Sequence, residues 1–102
     1  MKDLIKSVIE SHRGYQNPLS VDALISLTHF DDKQIRNIVS ELIIDDKMPI
    51  GSIVEGYFYI TNTEDLARAK AHLLAPIEAT VKRAKALEFN YAISTKVQGE
   101  FL

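Results

Sequence analysis

The 102 residues are 46% hydrophobic and 25% charged, the balance of one ordinary globular domain with at most one appended element. The chain has no cysteine, which excludes a disulfide framework and a thiolate zinc site, and no apolar run approaches the ~20 residues of a membrane span. Net charge is −2, and residues 1–62 hold six Lys and Arg against nine Asp and Glu, so any surface for a polyanion has to be made locally.

Residues 2–12 place Leu4, Ile5, Val8 and Ile9 on one helical stripe, which predicts a first helix. Gly14 ends it, and Tyr15-Gln16-Asn17-Pro18 reads as a loop. The start Met1-Lys2-Asp3-Leu4 lacks the apolar stretch of a secretion signal, which sets cytoplasmic as the expected location.

Ser20 is a good N-cap, and Leu19 and Leu24 around it have the spacing of a hydrophobic staple. The short helix that follows should bury Val21, Leu24 and Ile25, with Leu27 as a marginal fourth. The device recurs at once. Asp31 is placed to cap a third helix, Gln34 completes a capping box, and Phe30 can staple to Ile35. That helix should bury Ile35, Ile38, Val39, Leu42 and Ile43. Two short helices joined by a tight turn have the layout of a helix-turn-helix.

Asp45 and Asp46 oppose the dipole at the third helix's end, and Pro49 stops it. Residues 50–54 and 57–60 read as two strands around a Glu55-Gly56 turn. That turn pairs Val54 with Tyr57, Ile53 with Phe58 and Ser52 with Tyr59. Ile53, Phe58 and Ile60 then form the face suited to the core, and Ser52, Val54, Tyr57 and Tyr59 form the other. The expected fold is mainly α with a small β-hairpin, a winged helix-turn-helix over residues 1–62.

A last helix should begin at Asn62 or Thr63, capped with help from Asp65 or Glu64, and run over residues 63–90. Leu66, Ala69, Leu73, Ile77, Val81, Ala84 and Leu87 recur along it at intervals of three or four. Pro76 removes the hydrogen bond to the His72 carbonyl, so the helix either kinks there or Pro76 opens a separate helix. Residues 91–102 read as an irregular tail, with Phe101-Leu102 able to dock.

Catalysis has no candidate. His12, His29 and His72 lie on different elements without metal-ligand spacing, and no Gly-rich phosphate loop or GxSxG elbow is present. The sequence therefore predicts no enzyme, no cofactor, no metal site and no small-molecule ligand. Binding residues are better supplied. Lys33, Asn37, Ser40 and Glu41 point away from the buried stripe of the third helix, flanked by Gln34 and Arg36. Lys and Arg suit guanine, Asn and Gln suit adenine, and Ser suits phosphate or base edges. In the hairpin, Ser52 and Tyr57 can reach backbone phosphates, although Tyr57 and Tyr59 are as well explained by packing on neighbouring structure. In the last helix, Leu66 to Leu73 fit core packing. Leu73, Ile77, Val81, Ala84 and Leu87 fit self-association into a homodimer.

The stretch FDDKQIRNIVSELIIDDKMPIGSIVEGYFYITNTEDLARAKAHL resembles winged helix-turn-helix proteins of phages and prophages. The likeness rests on Ile35-Arg36, Val39 and Leu42, then Pro49-Ile50-Gly51-Ser52, Gly56-Tyr57-Phe58-Tyr59 and Thr61-Asn62-Thr63-Glu64-Asp65-Leu66. It covers residues 2–90 and departs from the pattern at Asp45-Asp46, where a loop glycine is common, and at Pro76. The resemblance implies a double-stranded DNA binder of the transcriptional or replication-associated kind. Its rival is a winged-helix adaptor or inhibitor that binds protein instead, favoured by the acidic balance of residues 1–62.

Overall fold

Two of the three helices in the N-terminal half start where the sequence supplies a side-chain acceptor for free N–H groups; the first, opening after Met1, has no such cap. A computed structural model describes the backbone of residues 1–100 and the side chains of residues 1–95. Its order is α1 (Lys2–Glu10), α2 (Val21–Thr28), α3 (Asp32–Ile44), β1 (Ile50–Ile53), β2 (Gly56–Tyr59) and α4 (Thr63–Glu100). The architecture is mainly helical, with a two-stranded antiparallel hairpin and a long C-terminal helix.

Ser20 Oγ accepts from the Ala23 amide at 3.1 Å and opens α2. Asp31 and Gln34 form a full capping box at α3, with bonds of 2.8 and 2.9 Å. Such a cap contributes about 1 kcal/mol. Between the two helices His29 takes a left-handed conformation, φ 61°, and the Thr28 hydroxyl donates to the Leu24 carbonyl at 2.7 Å. The turn between α2 and α3 is thus tight and internally bonded.

The main core gathers Ile5, Ile9, Leu24, Ile35, Val39 and Leu42 from the three helices. Leu19, Met48, Ile50 and Tyr57 complete it from the connecting segments and the hairpin. Val21, Ile25 and Ile38 are only partly buried against it. Leu4, Leu27 and Ile43, expected inside, are exposed. For α3 the reason is periodicity: Ile35, Val39 and Leu42 form one narrow line, and Ile43 lies about 100° round the helix from Leu42.

The hairpin differs from expectation in three ways. Its turn is Val54-Glu55, not Glu55-Gly56, so Ser52 pairs with Tyr57, Gly51 with Phe58 and Ile50 with Tyr59. Gly56 serves another purpose. At φ 144° it leaves space that a Cβ would take from the Leu19 carbonyl. That close approach exists because the chain after α1 lies along the free edge of β2. Tyr57 exchanges backbone bonds of 2.7 and 2.9 Å with Leu19, and Tyr59 bonds to His12 and Gly14 at 2.7 and 2.9 Å. The predicted loop over 15–18 is therefore bracketed by β pairing, and β2 has partners on both edges.

The faces of the hairpin are also exchanged. Ile50 and Tyr57 join the main core with Tyr59 packed against it. Phe58, fully buried, sits instead on the opposite face beside Gly51 and Ala69 of α4. A two-residue shift in register leaves the sides of a strand unchanged. Both faces are simply covered, one by the helical core and one by the first turns of α4.

α4 runs unbroken through Pro76, so no separate fifth helix starts there. It also continues past residue 90 to Glu100, which corrects the irregular tail. The stretch 91–98 contains neither Pro nor Gly, and a lone Gly99 weakens a helix without ending it. Phe101-Leu102 lie outside the described residues. By its contacts the chain divides into a unit Met1–His72 and a second from Leu73 onward, so the first turns of α4 belong to the first unit, beyond the expected boundary at 62. In those turns Ala69 is buried, whereas Leu66, expected to pack, is exposed, as is Leu73 just beyond them. No helix among the described residues is long and apolar enough to cross a membrane.

Candidate nucleic-acid interface

Once Ile35, Val39 and Leu42 are committed to the core, the 3.6-residue repeat turns the remaining side chains of α3 outward. Lys33, Gln34, Arg36, Asn37 and Ser40 are all exposed. The helix that carries them is capped at its start and backed by the core of the first unit, so the face is held rigidly.

These residues are not equally free. The Gln34 carbonyl oxygen accepts the Asp31 amide at 2.9 Å. Bidentate pairing with a base would open the capping box, which leaves only its NH2 to donate. Arg36 Nε lies 3.2 Å from an Asp32 carboxylate oxygen, with both side chains more than half exposed. An exposed pair of this kind is worth 0–1 kcal/mol and yields readily to a better acceptor. Lys33, Asn37 and Ser40 form no side-chain hydrogen bond or ion pair among the described residues.

Charge is polarised along the helix. At the start Lys33 and Arg36 are balanced by the cap Asp31 and by Asp32, whereas Glu41, Asp45 and Asp46 stand at the end. Lys2 lies 3.7 Å from Glu41 and 3.3 Å from Asp46, so its charge is spent there. The N-terminal half of α3 is thus the less acidic one and the half that repels a polyanion less.

The hairpin contributes less than expected. Tyr57 is 7% exposed and closes the core beneath α3. Burial pushes its hydroxyl above the ordinary tyrosine value, the Asp32 carboxylate adds to that, and Arg36 opposes it. Tyr57 is therefore chiefly a packing residue, with little surface left for any other contact. Its expected companion Ser52 is half-buried opposite it. The hairpin tip consists of Val54, 89% exposed, and Glu55.

Sequence reasoning missed a second constellation, at the start of α4. Asn62 caps the helix by accepting the Asp65 amide at 2.8 Å. The Asp65 carboxylate, 1% exposed, accepts the Thr61 amide and hydroxyl, each at 2.9 Å, and the Tyr15 amide at 3.2 Å. Burial alone would raise this carboxyl. The bonds from Thr61 and Tyr15, with the charge of Arg68, outweigh burial and hold it below the ordinary aspartate value. Arg68 stacks over Tyr15 at 3.9 Å and pairs with Glu64 at 3.3 Å. An open cleft of about 550 Å³ borders this cluster, lined by Tyr15, Pro18, Ile53 and Arg68 among others. The sequence signal was the doubled acid Glu64-Asp65 behind a cap, but its partner Tyr15 lies fifty residues away.

The residues expected to mediate self-association, Leu73, Ile77, Val81, Ala84 and Leu87, are all exposed on α4. His12 bonds only locally, its Nδ1 3.1 Å from the Asn17 carbonyl. No group of three or more His, Asp or Glu among the described residues is placed to hold a metal ion. Comparison of the chain with protein-family models, curated proteins and solved structures finds no match.

Proposed function

We propose that this protein binds double-stranded DNA as a winged helix-turn-helix regulator of the phage and prophage type. The observation that carries this reading is the outward face of α3, where Lys33, Arg36, Asn37 and Ser40 stand exposed on a capped, core-backed helix that follows a tight turn. In that layout the second helix enters the major groove by its N-terminal residues, and that is the half of α3 free of excess acid. Gln34 supports the approach from its capping position. The chain acts in the cytoplasm, with no cofactor and no chemistry of its own. It pairs with a second copy through Leu73, Ile77, Val81, Ala84 and Leu87, and two modest interfaces on one duplex offset the weak attraction of an acidic domain.

The test begins with sequences selected from a random duplex pool. On the selected site Arg36→Ala and Asn37→Ala should each weaken binding by ~1–3 kcal/mol in fluorescence anisotropy, with the circular dichroism of the free protein unchanged. Equal affinity of both variants and the parent refutes the assignment.

One observation favours a second reading, a protein-binding adaptor or inhibitor. The C-terminal half of α3 is acidic and bordered by exposed Ile43 and Ile44. A salt series separates the two. Binding to DNA falls steeply with salt through counterion release, whereas a mainly apolar protein contact does not.

A further inference from the structure

From Leu73 to Thr95 the chain is one helix whose apolar side chains are exposed, from 45% at Leu74 to 73% at Tyr91. Helices in proteins draw most of their stability from packing of an apolar face, and apolar surface on this scale marks an interaction site. Its spacing specifies the occupant. In a seven-residue repeat, Ile77, Ala84 and Tyr91 fall on one inner position, and Leu73, Thr80, Leu87 and Ser94 on the other. Ile77 at the first position with Leu73 and Leu87 at the second is the pattern that favours two strands; Ala84, Tyr91, Thr80 and Ser94 do not add to that preference. Thr80 fits the seam because its hydroxyl already donates to the Pro76 carbonyl at 2.7 Å, which leaves its methyl to pack.

Two charges flank that seam. Arg83 lies on one border and Glu88 on the other, five residues on. Arg83 leans toward the seam, its guanidinium donating to Thr80 Oγ at 3.5 Å. Among the described residues neither Arg83 nor Glu88 forms an ion pair within its own chain. In a parallel pair, this border residue faces the opposite border residue five places later on the other strand. In an antiparallel pair each border faces its own kind. Arg83 would then meet another Arg83, Pro76 or Asn90, and Glu88 would meet Leu74, Val81 or another Glu88. No antiparallel register brings Arg83 to Glu88.

We propose that α4 from Leu73 onward forms a parallel two-stranded coiled coil with a second copy of this chain, with orientation set by Arg83 against Glu88 of the partner subunit, twice by symmetry. This rests on the dimer reading above and goes beyond it in direction and in the residues that decide it. Both chains then enter the seam from the same end.

The test uses the full chain without DNA, so it is independent of the binding reading. Sedimentation equilibrium should show a dimer. Arg83→Glu and Glu88→Arg each turn two attractive contacts into two repulsive ones and should raise the dissociation constant about tenfold, and the double variant R83E/E88R should recover it. Mixed in equal amounts, differently tagged R83E and E88R should form the heterodimer in clear excess over a statistical mixture, because every cross-pair is then attractive. A dimer whose variants mix statistically overturns the parallel arrangement. A monomer at tens of micromolar overturns the proposal together with the dimer reading, and leaves the α3 face to be judged by its own titration.

Discussion

Replacing Asp65 by Asn isolates the charge of one buried carboxylate with little change of shape. In the native protein that carboxylate accepts three hydrogen bonds, two from Thr61 and one from Tyr15. Bonds to a charged acceptor contribute ~1.5–3 kcal/mol each, against about 1 kcal/mol for neutral ones. An Asn can keep its carbonyl oxygen toward Thr61, which weakens two bonds by roughly half. Its NH2 then faces the Tyr15 amide and leaves a donor unpaired. The sum is a loss of about 3 kcal/mol, or roughly 10–25 °C in Tm for a domain of this size. The pH dependence makes the test specific. The folded-state pKa of Asp65 lies below its ordinary value, so its contribution is complete above the unfolded pKa of ~3.9. It is lost as pH falls through the folded value. Urea unfolding of the parent and Asp65→Asn should therefore show the full gap at pH 6–7, a narrowing gap below about pH 4, and convergence once the native carboxyl is protonated. A gap that stays constant down to pH 2, or none at pH 7, would refute the claim that the bonded charge ties the 13–15 segment to α4.

Two further outcomes follow from backbone and packing geometry. His29 holds φ 61° at the end of α2 and is exposed, so His29→Gly should stabilise the protein by about 1 kcal/mol through relief of the left-handed conformation, seen as a higher urea midpoint at unchanged slope. Gly51→Ala should destabilise by about 1–3 kcal/mol, because its Cβ would lie 2.5 Å from the Phe58 ring and 2.9 Å from Ala69; a neutral result in the same assay would show that α4 does not press on the hairpin there.

Sequence alone specified what depends on neighbours in the chain. Ser20, the Asp31–Gln34 box and the 3.6-residue spacing of Ile35, Val39 and Leu42 located α2 and α3, because a cap and a helical stripe are written within one turn or two. The same logic turns Lys33, Arg36, Asn37 and Ser40 outward, and it marks the apolar line from Leu73 to Leu87. Tertiary structure decided what depends on distant partners. Tyr57 and Phe58 are both apolar enough to bury, and alternation says only that they point opposite ways. That the first faces the helical core and the second faces Ala69 is settled by where α4 lies. By sequence Gly56 reads as half of a turn; its role is to admit the Leu19 carbonyl. By sequence Asp65 reads as a helix-capping acid; its third donor, the Tyr15 amide, comes from fifty residues away. Local spacing is enough to form an element and choose its sides. Which side meets protein and which meets water is set by packing between residues far apart in the chain, and no short window of sequence contains that information.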